Sequence, residues 1–258
     1  MFQSRKFLCL IFALLFSNRE FNLLSQINIR SSAQAGVLIS PSVGFHLPQN
    51  DLNKRFGPFN SIGLSLSEKE RNGLIFGLSA FFLFNEKVKE RDMLKGITTN
   101  DGFLIGGDGT LYDLYYYMRG LHLMANLSFI IPKTGHNANS GLIASFSPGY
   151  LMHRIRFEPE DRNAPLPQLT KTGMRNYDRL SGGISLNPSL GYFFLGNRGL
   201  VNFYVQLEYS LAFTKNLRDY QYDQPGPFRE KRKDDYIGMR FGWILPIYRK
   251  AADEYFSY

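Results

Sequence analysis

The chain of 258 residues carries 30 Lys and Arg against 22 Asp and Glu, a formal net charge of +8, with 15% aromatic residues, 24 Gly and one Cys. A single sulfur excludes an internal disulfide framework, and the apolar and aromatic content excludes disorder. The only long apolar stretch lies at the extreme N-terminus, which excludes a helical membrane bundle. What remains is one domain rich in Phe, Tyr, Gly and Ser, the composition of strands.

Arg5 and Lys6 precede an uncharged run from Phe7 to Phe16. The run is too short to span a bilayer as a helix and has the form of a secretory signal core. Residues 1–35 are expected to be a signal peptide. Ala33-Gln34-Ala35 has the small-x-small form, and cleavage nearer Asn18 or Gln26 is the alternative. The competing reading is a buried first helix. Cys9 lies inside the apolar run and is read as part of the leader, not as a lipid attachment site.

From residue 36 onward the dominant signal is a period of two. Val37, Ile39, Pro41, Val43 and Phe45 alternate with Ser40, Ser42, Gly44 and His46; Ile62, Leu64 and Leu66 alternate with Ser61, Gly63 and Ser65. Leu74 to Phe84 and Leu121 to Phe129 continue the pattern. Leu142 to Phe157 follows it through Tyr150, and Arg154 and Arg156 then fall on the apolar parity. Those arginines are expected above a membrane or after a bulge. Ile184 to Phe194, Val201 to Phe213 and Ile237 to Ile247 complete eight predicted strands, near 36–47, 59–67, 72–85, 112–132, 141–158, 179–195, 200–217 and 235–249.

One face of each strand is apolar and nearly free of charge, while the other favours Ser, Gly and Asn. A soluble sandwich would leave Lys or Glu on its polar face. Small polar residues suit the interior of a narrow barrel, and strands enter lipid only as a closed barrel. The expected fold is therefore an eight-stranded antiparallel transmembrane β-barrel over 36–249, in the outer membrane, with a short periplasmic tail at 250–258. Prolines 41, 148, 188 and 246 count against perfect ladders. The connections after strands two, four and six are short, and those after one, three, five and seven are longer, the last three running to roughly 17 to 26 residues, as expected for periplasmic turns and external loops.

Glu208 and Arg240 are both predicted inward on adjacent strands, as an ion pair in a polar interior network or, as the sharper alternative, a proton path or catalytic pair. His122 also points inward, where Asn126 and Asn187 could share its hydrogen bonding. His46 and His153 near the external rim lack the further ligands a metal requires. The Gly106-Gly107-Asp108-Gly109-Thr110 run has no following Lys and reads as a turn. Calcium at Asp101 and Asp108 has no support. The segment 218–235, with Tyr220, Tyr222, Arg229, Lys231, Arg232 and Lys233, is either a recognition surface for an envelope protein or lipopolysaccharide phosphates, or plain solvated loop. Basic residues are scattered among acids without a reading element, which argues against nucleic acid. No catalytic residue, cofactor or metal is expected.

The Gly/Ser inward strands, Gly141 to Tyr150, Tyr177-Asp178-Arg179-Leu180-Ser181-Gly182-Gly183 and Phe241-Gly242-Trp243-Ile244-Leu245-Pro246-Ile247-Tyr248 resemble the small outer-membrane β-barrel proteins of the Bacteroidota. The resemblance implies a cell-envelope role, and some similar barrels accompany gliding and type IX secretion machinery. Two function classes are open. One is a structural or accessory barrel of an envelope complex. The other is a rim-located lipid hydrolase or acyltransferase, for which His153 with Ser145 or Ser147 is the best set on offer.

Overall fold

A computed structural model describes residues 33–131, 134–161, 164–169, 171–196, 201–224, 226 and 230–248. The expected signal core with Cys9, the tail 250–258 and Arg229 lie outside the described residues. The described chain is all-β and sheet-rich. Strands β1 (Gly36–Pro48), β2 (Phe59–Lys69) and β3 (Leu74–Asn85) are followed by a small hairpin, β4 (Leu104–Ile105) and β5 (Leu111–Tyr112). Then come β6 (Leu114–Ile130), β7 (Gly141–Pro159), β8 (Ser181–Leu195), β9 (Asn202–Asn216), β10 (Lys231–Lys233), β11 (Tyr236–Trp243) and β12 (Leu245–Tyr248). Two short helices, α1 (Asn50–Arg55) and α2 (Lys171–Arg175), lie in the long connections.

The long strands pair antiparallel with their chain neighbours, and β1 also pairs with β11 and β12. Because β8 pairs with β9 and β9 with β11, the pairings return to their start. The path Gly36, Lys69, Ile75, Ser128, Ser145, Ser189, Glu208, Gly238 arrives back on β1 at His46, ten positions on (46 − 36). β11 and β12 keep one register against β1 and act as a single strand across Ile244.

Parity decides what lies on each face. The apolar parity is exposed, with Ile184 65% and Leu207 63% accessible, along with Phe45, Leu64, Leu78, Leu127, Phe146 and Trp243. The other parity is buried and carries Ser40, Ser42, Ser61, Ser79, Ser128, Ser147, Ser185, Asn187 and Ser210. Through the middle of the sheet the usual arrangement of a soluble protein is inverted.

The prolines fit this arrangement without distortion. Pro41 pairs in register with Leu64 on the β2 side, and the β1 ladder to β11 and β12 is interrupted opposite it. Pro148 keeps its β8 partner while the β6–β7 ladder is interrupted nearby; Pro188 keeps its β7 partner while β8–β9 is interrupted. In each case the missing N–H costs a bond on one side only, and the register is unchanged across the gap.

At both ends the inner face turns apolar. Leu38, Ile75, Ile130, Ile143, Phe193 and Ile244 form one cluster at the short-turn end. At the long-loop end Phe59, Phe81, Leu83, Met118, Leu151 and Ile155 pack against Leu52 and Phe56 from the α1 connection, with Met93, Leu94 and Leu104 from the β3–β6 connection. No bulge precedes Arg154 and Arg156: His153, Ile155 and Phe157 stay buried and the two arginines stay outward.

Inner-face glycines let the strands crowd. A Cβ on Gly77 would meet the Leu66 carbonyl and the Ser67 backbone, which cannot yield. Gly77→Ala is expected to cost roughly 1–3 kcal/mol. Gly96→Ala, in open space on a loop, should change stability by less than about 1 kcal/mol. Urea unfolding midpoints of the two variants check the contrast.

Candidate functional site

Two polar assemblies occupy the inside of the sheet. The first is central. Arg240 Nη2 donates to Glu208 at 2.9 Å, and its guanidinium lies 3.7 Å from the centre of the Phe81 ring. His46 sits with Nδ1 3.3 Å from Glu208 and Nε2 2.8 Å from the Ser61 hydroxyl, stacked on Phe59. His122 bridges the Tyr236 hydroxyl at 2.8 Å and the Ser185 hydroxyl at 2.7 Å. Asn187 reaches the same Ser185 hydroxyl at 3.1 Å, so it joins His122 through that serine. Asn126 instead accepts from Ser79 at 3.2 Å. A cavity of about 60 Å3, bordered by Asn126, Ser145, Asn187, Gln206, Glu208 and Arg240, completes the interior. Its polar lining and size suit a few water molecules. Leu38, Ile75, Ile143 and Phe193 of the short-turn cluster and Met124 of the long-loop cluster also border it.

The second assembly clamps the long-loop end. The Glu90 carboxylate accepts from Arg55 Nε at 2.7 Å and Arg179 Nε at 2.8 Å. Arg55, itself buried, also donates to the Arg179 carbonyl at 3.1 Å and the Ser181 hydroxyl at 2.9 Å. Arg179 extends a two-pronged contact to Asp223, with Nη1 at 2.9 Å. Glu90 belongs to the β3–β6 connection, Arg55 to α1, Arg179 to the β7–β8 connection and Asp223 to the β9–β11 connection. One network thus holds all four long connections. Arg179 has a positive φ of 50°, a conformation rare for a branched-out side chain and held here by these contacts.

Beside it, Asp234 lies 2.9 Å from His153 Nε2, accepts from Thr214 and pairs with Arg232 at 3.1 Å. Arg232 Nη2 also donates to the Asp51 carbonyl at 2.7 Å. Burial alone would raise the Asp234 carboxyl, yet the His153 contact and the Arg232 charge hold it below the usual carboxylate range. Burial likewise works to raise Glu90, and the two arginines outweigh it and hold its carboxyl low.

Among the residues expected on the 218–235 surface, Tyr220, Tyr222, Lys231 and Lys233 are exposed. Arg232 is 8% exposed and turns into the clamp. Tyr222 packs edge-on against Tyr177, ring centres 5.3 Å apart. His153 does not stand at a rim with Ser145 or Ser147. Those serines lie six and eight positions back along β7, about 20 Å or more away, and His153 is buried against Asp234. Among the described residues no cluster of three His, Cys, Asp or Glu side chains could hold a metal ion. The roles of Arg55, Glu90, Tyr236 and Asp234 escape sequence reading. The one local signal is Asp51 in the first turn of α1 with Lys54 and Arg55 in its last, a charge order that favours a helix.

No protein-family model matches the chain, and no curated protein matches it. Solved structures similar to it include Ail, the attachment invasion locus protein of Yersinia pestis, in complex with the heparin analogue sucrose octasulfate. Ail is 11% identical, with 82% of this chain and 99% of Ail covered, at a TM-score of 0.41. The outer membrane protein OprG from Pseudomonas aeruginosa is 11% identical over 84% of this chain and 99% of its own, at 0.40. Neisserial surface protein A is 12% identical over 82% and 97%, at 0.38. Likenesses at this level carry no functional argument, and the reading that follows rests on this chain's own burial and pairing.

Glu208→Gln or Arg240→Gln alone should cost about 3–5 kcal/mol by leaving one buried charge unpaired, with the double variant costing less than the sum. Unfolding titrations of the four-member cycle check this. Depressed Glu90 and Asp234 carboxyls give a clamp fully stabilised above the ordinary carboxylate range and weakened as pH falls through about 4. The hydrogen-exchange protection factors of amides in residues 217–224, taken relative to the intrinsic rate at each pH, should therefore fall on acidification, and Glu90→Gln should remove much of that dependence.

Proposed function

We propose that the chain is an eight-stranded transmembrane β-barrel of an outer membrane, filled inside, which serves a cell-envelope complex by presenting its clamped long-loop end to a partner. The observation that carries this reading is the inverted burial: a belt of large apolar side chains exposed on every long strand, over a buried face of serine, glycine and asparagine. Water would penalise such a belt, and hydrocarbon would accept it.

Geometry supports the same reading. A stagger of ten residues over eight strands corresponds to a strand tilt of about 41° and a radius of about 8 Å, within the range for outer-membrane barrels. With both termini of the strand series at the short-turn end, that end is assigned to the periplasm and the clamped loops to the exterior. Apolar clusters at both ends and a cavity of about 60 Å3 between them speak for a plugged interior over an open pore. The clamp converts four long loops into one ordered surface on which Tyr220 and Tyr222 stand exposed, and exposed tyrosines of this kind favour protein contacts. A place beside type IX secretion or gliding machinery rests on the sequence resemblance alone and directs the search for the partner.

Leu207→Arg or Leu190→Arg should lower stability in phospholipid vesicles by about 2–4 kcal/mol. On a soluble protein the same exposed sites would change stability by about 0.5 kcal/mol or less, so denaturant titrations showing no loss would overturn the membrane assignment. Tyr220→Ala with Tyr222→Ala should release a partner co-purified from outer membranes while the unboiled protein keeps its folded mobility on a gel. A steady ion current in planar bilayers would refute the filled interior.

A further inference from the structure

The outer face near the long-loop end of β6 and β7 concentrates positive charge beside the apolar belt. Arg119 is directly opposite Arg154, and Arg156 is opposite Tyr117. One step towards the belt, Leu121 is opposite Met152. Like charges facing each other across a ladder destabilise a sheet, and the apolar flank strengthens the repulsion by lowering the local dielectric.

Partners within the chain neutralise little of it. Arg156 pairs with Glu158 at 2.6 Å. Arg154 approaches Asp178 only to 4.0 Å, and that carboxylate is already held by Arg218 at 2.7 Å. Arg119 Nη1 donates to the Met118 carbonyl at 2.8 Å and its guanidinium lies 4.8 Å from the centre of the Tyr117 ring. Among the described residues no carboxylate stands within 4.0 Å of Arg119. Arg154 and Arg156 side chains are 48% and 53% exposed, so both guanidinium groups are within reach of a ligand from outside.

We infer that Arg119, Arg154 and Arg156 form a site for a phosphate of the outer-leaflet glycolipid. The inference rests on the transmembrane reading above, which sets these arginines at the edge of the lipid belt in the outer leaflet. A phosphate bridging two guanidinium groups replaces repulsion by two-pronged, charge-assisted hydrogen bonds. Tyr115 and Tyr117 on the same face place aromatic rings where an interfacial girdle is expected. The acyl chains of the same lipid would lie along Leu121, Leu123 and Met152. The lysine pair Lys215 and Lys231, also opposed on the outer face, lacks planar forks and belongs to a different stretch of rim, which makes it the control.

The test uses the full chain refolded in zwitterionic detergent. Native mass spectrometry would follow titration with bisphosphorylated lipid A, its dephosphorylated form and phosphatidylglycerol. The wild type should retain the bisphosphorylated lipid. Arg119→Gln/Arg154→Gln/Arg156→Gln should weaken that binding roughly tenfold or more, and Lys215→Gln/Lys231→Gln should leave it unchanged. Arg119→Gln alone should weaken binding and raise the urea midpoint in lipid-free detergent, because it relieves the facing charges. This second readout serves if the triple variant does not fold. Equal binding of phosphorylated and dephosphorylated lipid, or equal loss in the lysine variant, would overturn the site. Equal retention of phosphatidylglycerol would overturn the glycolipid as its occupant. A wild type without heat-modifiable mobility would instead refute the barrel reading, so the two failures are told apart.

Discussion

Every other feature of this molecule follows from the way the pairings return to β1. A ladder that closes on itself leaves no free edge, so each strand has one face turned into a confined interior and the other turned out. A confined interior of this kind cannot accept a bulky side chain at every position. Serine and glycine therefore dominate the middle of the inner face, and the bulky apolar residues that give the strands their β-propensity are left outside. The exposed belt is the consequence of that choice, and on the transmembrane reading proposed above lipid is the solvent that makes it favourable.

The two ends solve a different problem. Beyond the belt outward positions become charged, as at Arg154 and Arg156, and inward positions become apolar, as at Leu151, Ile155 and Phe157. The chain thus changes from inverted to ordinary burial within one strand, without a bulge. Above this apolar plug sits the Arg55–Glu90–Arg179–Asp223 network, where paired and multiply bonded charges avoid the cost of isolated ones. Its value is in specificity: four separate loops acquire one mutual arrangement, the requirement for a surface that a partner could recognise.

Much of this was legible from residue order. Strand positions, the identity of the outward face and the inward direction of Glu208, Arg240 and His122 follow from a local period of two. Prolines 41, 148 and 188 look damaging in sequence and prove compatible, because each interrupts a ladder on one side only. The rim pairing of His153 with Ser145 or Ser147 fails on spacing along a single strand. Arg232, read with its exposed neighbours Lys231 and Lys233, is turned inward by the alternation of β10. The short helix α1 escapes notice because six residues give too little periodicity to separate a helix from a loop.

The sequence by itself determined the strand period, the composition of the two faces and the division between short and long connections, since each depends on neighbours within a few positions. Only the tertiary structure decided which loop residues meet. Arg55 donates to Arg179 across 124 positions, and Asn50 to Asp235 across 185. Such partners are brought together by the return of β9 and β11 to β1, and no local spacing encodes that meeting. The physical reason is that alternation is a property of one strand, whereas a charge network is a property of how the strands close.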